Sequence, residues 1–200
     1  MSSRNVRSAL LGSFVAAMAM AGPVWAVPIN TTFNFVPTTV LTANTGNVST
    51  ATTITSGAPD IVTSIITDNT GVVSLSSVIS LQTPTPVTLG SVFTKTFTTL
   101  LGVFTETLTV TLVTPGPSSL GIQATGTIVE TTVLSGAALD PSPVFYSAAY
   151  TQNGGPGAQI NASFNNSASP PLRTPEPASL LLVGGGLAGL VATGRRSLKG

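Results

Sequence analysis

Residues 104–112 read Phe-Thr-Glu-Thr-Leu-Thr-Val-Thr-Leu, and this stretch decides the fold class. Apolar residues and Glu106 alternate with threonine, which is the period-two pattern of a β-strand. Phe104, Glu106, Leu108, Val110 and Leu112 are therefore predicted to point to one side of the strand, and Thr105, Thr107, Thr109 and Thr111 to the other. Because antiparallel sheets commonly pack one face on a core and leave the other in water, the stretch predicts a strand with an apolar face and a threonine face.

The same alternation recurs along the chain, and turn signals separate the segments. Period-two patterns occur at 73–81, 120–128, 144–151 and 160–164, and Gly, Pro, Asn and Asp cluster at 68–71, 114–117, 140–143 and 153–157. Threonine, a strand-favouring residue, occupies 31 of the 148 positions from 27 to 174. We predict an all-β fold, an antiparallel β-sandwich or meander. A disordered, mucin-like stalk is the alternative, and the many Ile, Val, Leu and Phe residues favour the folded form.

Composition divides this middle part into three segments. Residues 27–59 have few long apolar runs and are predicted to be a loosely structured, Thr-rich arm. Residues 60–160 hold the strand patterns and form the predicted ectodomain. Residues 161–174 are polar and are predicted to be a linker.

Charge and residue usage exclude several classes of function. Charged residues make up only 6% of the chain, and between positions 27 and 174 two basic residues face five acidic ones. That balance excludes the basic surface that nucleic acid requires. The chain has no Cys and no His, so Ser-His-Asp and Cys-His nucleophiles are impossible and zinc lacks its usual ligands. We expect no cofactor and no metal site.

The first 26 residues have the pattern of a secretory signal peptide. Arg4 and Arg7 precede an apolar stretch from Ala9 to Ala21, and small residues lead to Ala26. We predict cleavage after Ala26 and export through the Sec translocon.

The C-terminal residues combine three elements in order. Pro175-Glu176-Pro177 is followed by an uncharged apolar segment, 178–193, and then by a basic tail, 194–200, that contains Arg195 and Arg196. As a helix the apolar segment reaches roughly 24 Å, slightly less than a hydrocarbon core of about 30 Å. It crosses if the bilayer thins or if the flanking Arg side chains snorkel. By the positive-inside rule, Arg195 and Arg196 hold the tail in the cytoplasm.

This ending resembles the PEP-CTERM sorting signal, which marks substrates of exosortases in Gram-negative bacteria that make extracellular polysaccharide. The resemblance implies a transient span in the inner membrane and processing by an exosortase-like enzyme at Pro175, Glu176 and Pro177. It then implies delivery to the cell surface or the extracellular matrix. The body of such a protein is not specified by the signal.

Three functions for the body follow from the residues. The first is a structural protein of the surface or matrix, associated with exopolysaccharide or biofilm and not an enzyme. The second is a carbohydrate-binding module in which Tyr146 and Tyr150 stack on sugars. The third is a carboxylate hydrolase that uses Glu106 and Glu130, which need to flank a glycosidic bond.

The acidic residues also have simpler structural interpretations. Asp60, Asp68 and Asp140 lie beside turn residues and are expected to make local hydrogen bonds. Glu106 and Glu130 are expected to protect strand edges from aggregation.

Overall fold

The computed structural model describes residues 27–169, and this part of the chain is almost entirely β-structure. The strands are β1 (Thr31–Pro37), β2 (Leu41–Ala43), β3 (Thr53–Ser56), β4 (Asp60–Asp68), β5 (Val78–Leu81), β6 (Thr85–Pro86), β7 (Val92–Thr98), β8 (Gly102–Pro115), β9 (Ser119–Val133), β10 (Ser142–Gln152) and β11 (Ile160–Ala168). One 3-10 turn, Val48–Thr50, follows β2. The all-β prediction is confirmed. Between positions 27 and 169, no helix has the length and hydropathy that a membrane crossing needs.

Eight of the strands form a closed antiparallel barrel. The order is β1-β4-β5-β7-β8-β9-β10-β11, and β11 returns to pair with β1. The predicted β-sandwich is therefore wrong, because one sheet closes on itself instead of packing on a second sheet. The predicted meander is found in the run from β7 to β11, where each strand pairs with the next one in the chain.

The boundaries of the predicted arm and linker differ from those in the structure. Residues 27–59 supply β1, which pairs with both β4 and β11, and its Phe33 and Phe35 are buried. Residues 161–168 belong to β11, the strand that closes the barrel. Both segments look polar in sequence because Thr and Asn occupy many of their positions, yet each places phenylalanine inside.

The three remaining strands extend the sheet beside the barrel. β2 pairs with the start of β11 at Leu41 and Ile160, and β3 and β6 follow in order. Gln152 fastens this extension to β10, because its side chain accepts from the Val48 amide and donates to the Gly46 carbonyl.

The interior of the barrel is rich in aromatic side chains. Phe35 and Phe164 lie 4.9 Å apart between ring centroids, and Phe97 stacks on Phe104 at 5.4 Å. Tyr146 contacts Phe93 edge-on at 5.6 Å. Aromatic pairs add about 0.5–1.5 kcal/mol each beyond their burial, so they stabilise a barrel that has no disulfide among the described residues.

Candidate functional site

Lys95 lies in the middle of the barrel interior. It is the only Lys or Arg between positions 27 and 169, and it is 0% exposed. In β7 it alternates with Phe93 and Phe97, so strand periodicity turns it inward with them. Lysine is almost never fully buried unless it is paired, and its neighbours therefore identify what the interior is built to hold.

Lys95, Glu106 and Asn166 contact one another in a closed ring of polar side chains, which we call the buried cluster. Lys95 Nζ lies 2.8 Å from Glu106 Oε2 and donates a hydrogen bond of 2.5 Å to Asn166 Oδ1. Asn166 Nδ2 donates to Glu106 Oε1 at 3.0 Å, which completes the ring. Glu106 and Asn166 are also 0% exposed. The three residues come from β7, β8 and β11, and only Lys95 and Glu106 are direct cross-strand partners.

Aromatic rings line the space around the ammonium group. Nζ lies 5.0 Å from the ring centroid of Phe35 and 5.1 Å from that of Phe33. Phe97 and Tyr146 stand at 5.8 Å. The rings attract a cation through their π faces, but they also remove water from it.

Burial shifts the pKa of Lys95 and that of Asp60, an acidic residue whose charge acts on Lys95. Desolvation lowers the pKa of Lys95, and the charges of Glu106 and Asp60 only partly oppose that effect. Asp60, at the start of β4, is 1% exposed and its Oδ1 accepts no hydrogen bond. Desolvation raises the pKa of Asp60 to about 7, with a smaller opposing effect from Lys95. Desolvation therefore disfavours the charged forms of both Lys95 and Asp60.

The structure changes the interpretation of several acidic residues. Glu106 is not an edge residue, because β8 lies between β7 and β9. Glu130 is half-buried on β9, and its Oε2 accepts the Leu139 amide at 2.8 Å. Asp60 is inside the barrel rather than in a turn. Asp68 fits its prediction, since it accepts from the backbone of Val72 and Val73.

The predicted sugar-stacking platform is wrong. Tyr146 is 0% exposed and Tyr150 is 2% exposed, so neither ring can reach a ligand outside the barrel. Both side chains alternate inward along β10, and burial raises the pKa of both hydroxyls.

The outer side of β7, β8 and β9 is the predicted threonine face. Cross-strand partners place Thr94 opposite Thr107 and Thr107 opposite Thr127. The next pair along the strands is Thr109 and Thr125. We define this threonine face by the following outward residues: Thr94, Thr96, Thr98, Thr105, Thr107, Thr109, Thr111, Thr125, Thr127 and Thr131.

A groove that both polar and apolar residues line lies on a different part of the outer surface. Its volume is about 530 Å³. Asn34 lines it, donating to Ser64 Oγ at 2.9 Å and accepting from Asn165 Nδ2 at 2.8 Å. Gln123 and Ser147 line the same groove.

Other site predictions are not tested by the described residues. Ala26, the processing residues Pro175, Glu176 and Pro177, and the stop residues Arg195 and Arg196 all lie outside the part of the chain that the structure describes. Within positions 27–169, no three acidic side chains come together in a possible metal site.

The sequence analysis missed Lys95 and Asn166 as members of a site. A signal for each is present: Lys95 occupies the apolar phase of Phe93 and Phe97, and Asn166 occupies the phase of Phe164 and Ala168. A polar residue in the apolar phase of a strand is expected to be buried with a partner.

Comparison with known proteins assigns the C-terminal region. No curated protein and no solved structure matches the chain. Residues 173–196 match the PEP-CTERM protein-sorting motif, as the order of Pro-Glu-Pro, apolar segment and basic residues predicts. Such a motif indicates export, processing by an exosortase-like enzyme and transient membrane sorting toward the cell surface. Residues 173–196 therefore carry a PEP-CTERM sorting motif, and this motif indicates an exosortase-targeted, exported surface protein.

Proposed function

We propose that the protein is a structural component of the cell surface or extracellular matrix of a Gram-negative bacterium. In this proposal the Sec translocon exports the chain, a signal peptide is removed after Ala26, and the segment 178–193 crosses the inner membrane with Arg195 and Arg196 in the cytoplasm. Processing at Pro175–Pro177 then releases the barrel to the surface, where it associates with exopolysaccharide or biofilm. The body is not an enzyme.

The threonine face is the observation that supports a matrix role. It is broad, regular and uncharged, because three neighbouring strands present hydroxyl groups in cross-strand register. Hydroxyl groups both donate and accept hydrogen bonds, so such a face can bind polysaccharide hydroxyls or a second copy of itself. The only basic residue of the described chain is inside the barrel, which leaves this face without a charge that would repel a close contact.

The matrix role is tested by placing one charge on the threonine face. Thr107→Lys adds a charge at its centre, and Thr67→Lys adds the same charge on the exposed side of β4 as a matched control. We expect the full-length Thr107→Lys protein to move from the matrix fraction to the soluble fraction of its host culture, while Thr67→Lys stays with wild type. Equal retention of the two variants would remove the threonine face from the proposal.

The groove lined by Asn34 and Asn165 supports carbohydrate binding as a second candidate. Asn34, Gln123, Ser147 and Asn165 offer amide and hydroxyl groups in a concave surface, and such groups can hydrogen-bond to sugars. Asn165→Ala is expected to lower retention on immobilised exopolysaccharide of the host, while Thr67→Ala leaves it unchanged. Wild-type retention by Asn165→Ala excludes this groove as the binding site.

The hydrolase alternative has less support. The two catalytic carboxyl groups of a glycoside hydrolase must both reach the scissile bond. Glu106 is 0% exposed and therefore does not reach a sugar outside the barrel.

A further inference from the structure

The buried cluster of Lys95, Glu106 and Asn166 carries a large desolvation free energy. Neither sorting nor the threonine face requires this cluster. The desolvation of a buried ion pair often exceeds the attraction between its charges, so well-packed apolar residues would serve stability as well or better. Nevertheless, the one cation of residues 27–169 is placed there with a carboxyl group and a carboxamide, all at 0% exposure. An amine, a carboxamide and a carboxyl group in mutual contact are the components of an amide-exchange reaction.

We propose that Lys95 and Asn166 join through an intramolecular amide bond, with Glu106 as the group that carries the proton between them. The product is a covalent cross-link between β7 and β11 inside the barrel.

The geometry brings the reacting atoms within reach. Nζ of Lys95 is 2.5 Å from Oδ1 of Asn166, and the Cγ–Oδ1 bond adds about 1.2 Å. Nζ is therefore at most about 3.7 Å from the carbonyl carbon Cγ, close to the 3–3.5 Å of a near-attack arrangement. Oε2 of Glu106 contacts Nζ, and Oε1 contacts Nδ2, so one carboxyl group touches both the nucleophile and the leaving group.

The reaction is balanced without any other reactant. The reaction starts after one proton passes from Lys95 to Glu106 across their 2.8 Å contact. Lys95 is then an amine and Glu106 a carboxylic acid. Nζ forms a bond to Cγ of Asn166 and gives one proton to Oε2. The Cγ–Nδ2 bond breaks, and Nδ2 takes the proton from Oε1 and leaves as ammonia. The products are one secondary amide, one ammonia molecule and Glu106 again as the acid; nothing is oxidised or reduced.

The surroundings favour the neutral, reactive form of the lysine. Only an unprotonated amine has the lone pair that attacks a carbonyl carbon, and burial lowers the pKa of Lys95. The rings of Phe33, Phe35, Phe97 and Tyr146 exclude water that would otherwise stabilise the ammonium ion. Their attraction for a cation opposes this effect, so we expect the reaction to be slow and to occur once per molecule.

The position of the cross-link suits a chain held at its C-terminal end. Asn166 lies in β11, the last strand before the sorting motif, and Lys95 is 71 residues earlier. Pulling on the residues after β11 would peel this strand from β1 and β10 first. An amide bond at Asn166 stops that peeling near the end of the strand, since force then passes directly to β7.

The sequence makes the cross-link easy to detect with trypsin. Trypsin cuts after unmodified Lys and Arg, and Lys95 is the only such residue between Arg7 and Arg173. The full-length protein is purified, and its intact mass is measured at high resolution. A second portion is unfolded and digested with trypsin. We expect a mass lower by one ammonia molecule than the sequence mass, and a single fragment that remains uncut at Lys95. A full sequence mass with complete cutting at Lys95 would overturn the proposal.

Matched variants assign the three roles. Lys95→Arg keeps the charge and the trypsin site but is not expected to react, so it is cut at position 95 and shows the sequence mass. Asn166→Ala is also expected to be cut, while Asn161→Ala, at an exposed position on the same strand, stays cross-linked. Glu106→Gln is expected to fold and remain unlinked. If it links as fully as wild type, Glu106 is not the proton carrier.

Two other outcomes would also contradict the assignment. A loss of water instead of ammonia means that a carboxyl group, such as that of Asp60, is the partner of Lys95. A loss of ammonia with normal cutting at Lys95 means that an asparagine has cyclised without the lysine. Each result overturns the Lys95–Asn166 bond.

Discussion

Among the described glycines, Gly126 leaves the least room for an added Cβ atom. It lies in the middle of β9, opposite Leu108 on β8 and Val144 on β10. A Cβ atom added at Gly126 would overlap the carbonyl oxygen of Thr107 and lie 2.8 Å from its carbonyl carbon and 3.0 Å from Leu108 Cα. All of these are backbone atoms, so no side-chain rotation relieves the overlap. Glycine in a strand often marks such a close approach of another backbone.

The expected cost of Gly126→Ala can be built from these contacts. β8 and β9 must separate locally, which weakens about two ladder hydrogen bonds at about 1 kcal/mol each. Displacement of the buried Leu108 adds about 1 kcal/mol or more, as overpacking does in other cores. The free energy of unfolding should therefore fall by about 3 kcal/mol. At about 2–4 °C per kcal/mol for a domain of this size, Tm should fall by about 6–12 °C.

Gly121→Ala is the matched control for this prediction. It lies on the same strand, and the atoms nearest to an added Cβ, both of Thr114, are 3.8 Å away. We expect its stability to be unchanged or about 0.4–1 kcal/mol higher, because alanine restricts the unfolded chain. Urea titration and thermal melting, both followed by far-UV circular dichroism, measure the two variants. Equal stability of Gly126→Ala and Gly121→Ala would refute the register of β8 against β9.

Three further predictions concern the acidic residues. The folded pKa of Asp60 is raised to about 7 from an ordinary value of 3.8. The folded state therefore holds this proton more tightly, and the free energy of unfolding falls as pH rises from about 4 to 7. Asp60→Asn should flatten this pH dependence in urea titrations, and an unchanged pH dependence would contradict the prediction. Glu106→Ala should lower the free energy of unfolding by about 3–5 kcal/mol, because it removes the buried partner of both Lys95 and Asn166. Thr107→Ala faces outward and should change it by less than about 0.5 kcal/mol. Similar losses in both variants would show that Glu106 is not paired inside the barrel. Asp68→Ala should speed amide hydrogen exchange at Val72 and Val73, whose amides it accepts, and unchanged exchange there would contradict these bonds.

Local alternation was sufficient to predict strands whose inward residues are apolar. β10 follows the predicted phase, and β8 follows it as far as Val110. The predicted inward position of Leu112 is wrong, because a register shift between Val110 and Leu112 leaves Leu112 45% exposed. The threonine face appears where the sequence places it. The pattern failed at 73–81, where only Val78–Leu81 is a strand. Asp68 holds the amides of Val72 and Val73, and Ser76 has a left-handed backbone with a φ of 66°. These side-chain and backbone preferences keep the first half of that segment in a loop despite its alternation.

Long-range pairing was not accessible from the sequence. Whether strands form a sandwich or a barrel depends on the contact between β1 and β11, whose paired residues are more than a hundred positions apart. The buried cluster could not be predicted for the same reason. Asn166 lies in the predicted polar linker, and its partners are 60 and 71 residues away in the chain. Glu106 was noticed because it breaks an apolar phase, but its cation could be found only from the fold.

The central claim is that this barrel is sorted to the surface by its C-terminal motif, and one comparison tests it most directly. Wild type and Glu176→Ala are expressed in the host, and the intact mass and cellular location of each are measured. We predict a wild-type protein that begins at Val27, lacks the residues after about Pro177 and lies on the surface, while Glu176→Ala keeps its tail and stays in the inner membrane. If both proteins keep Arg195 and Arg196 and remain in the inner membrane, the C-terminal region is a plain anchor and the account is contradicted.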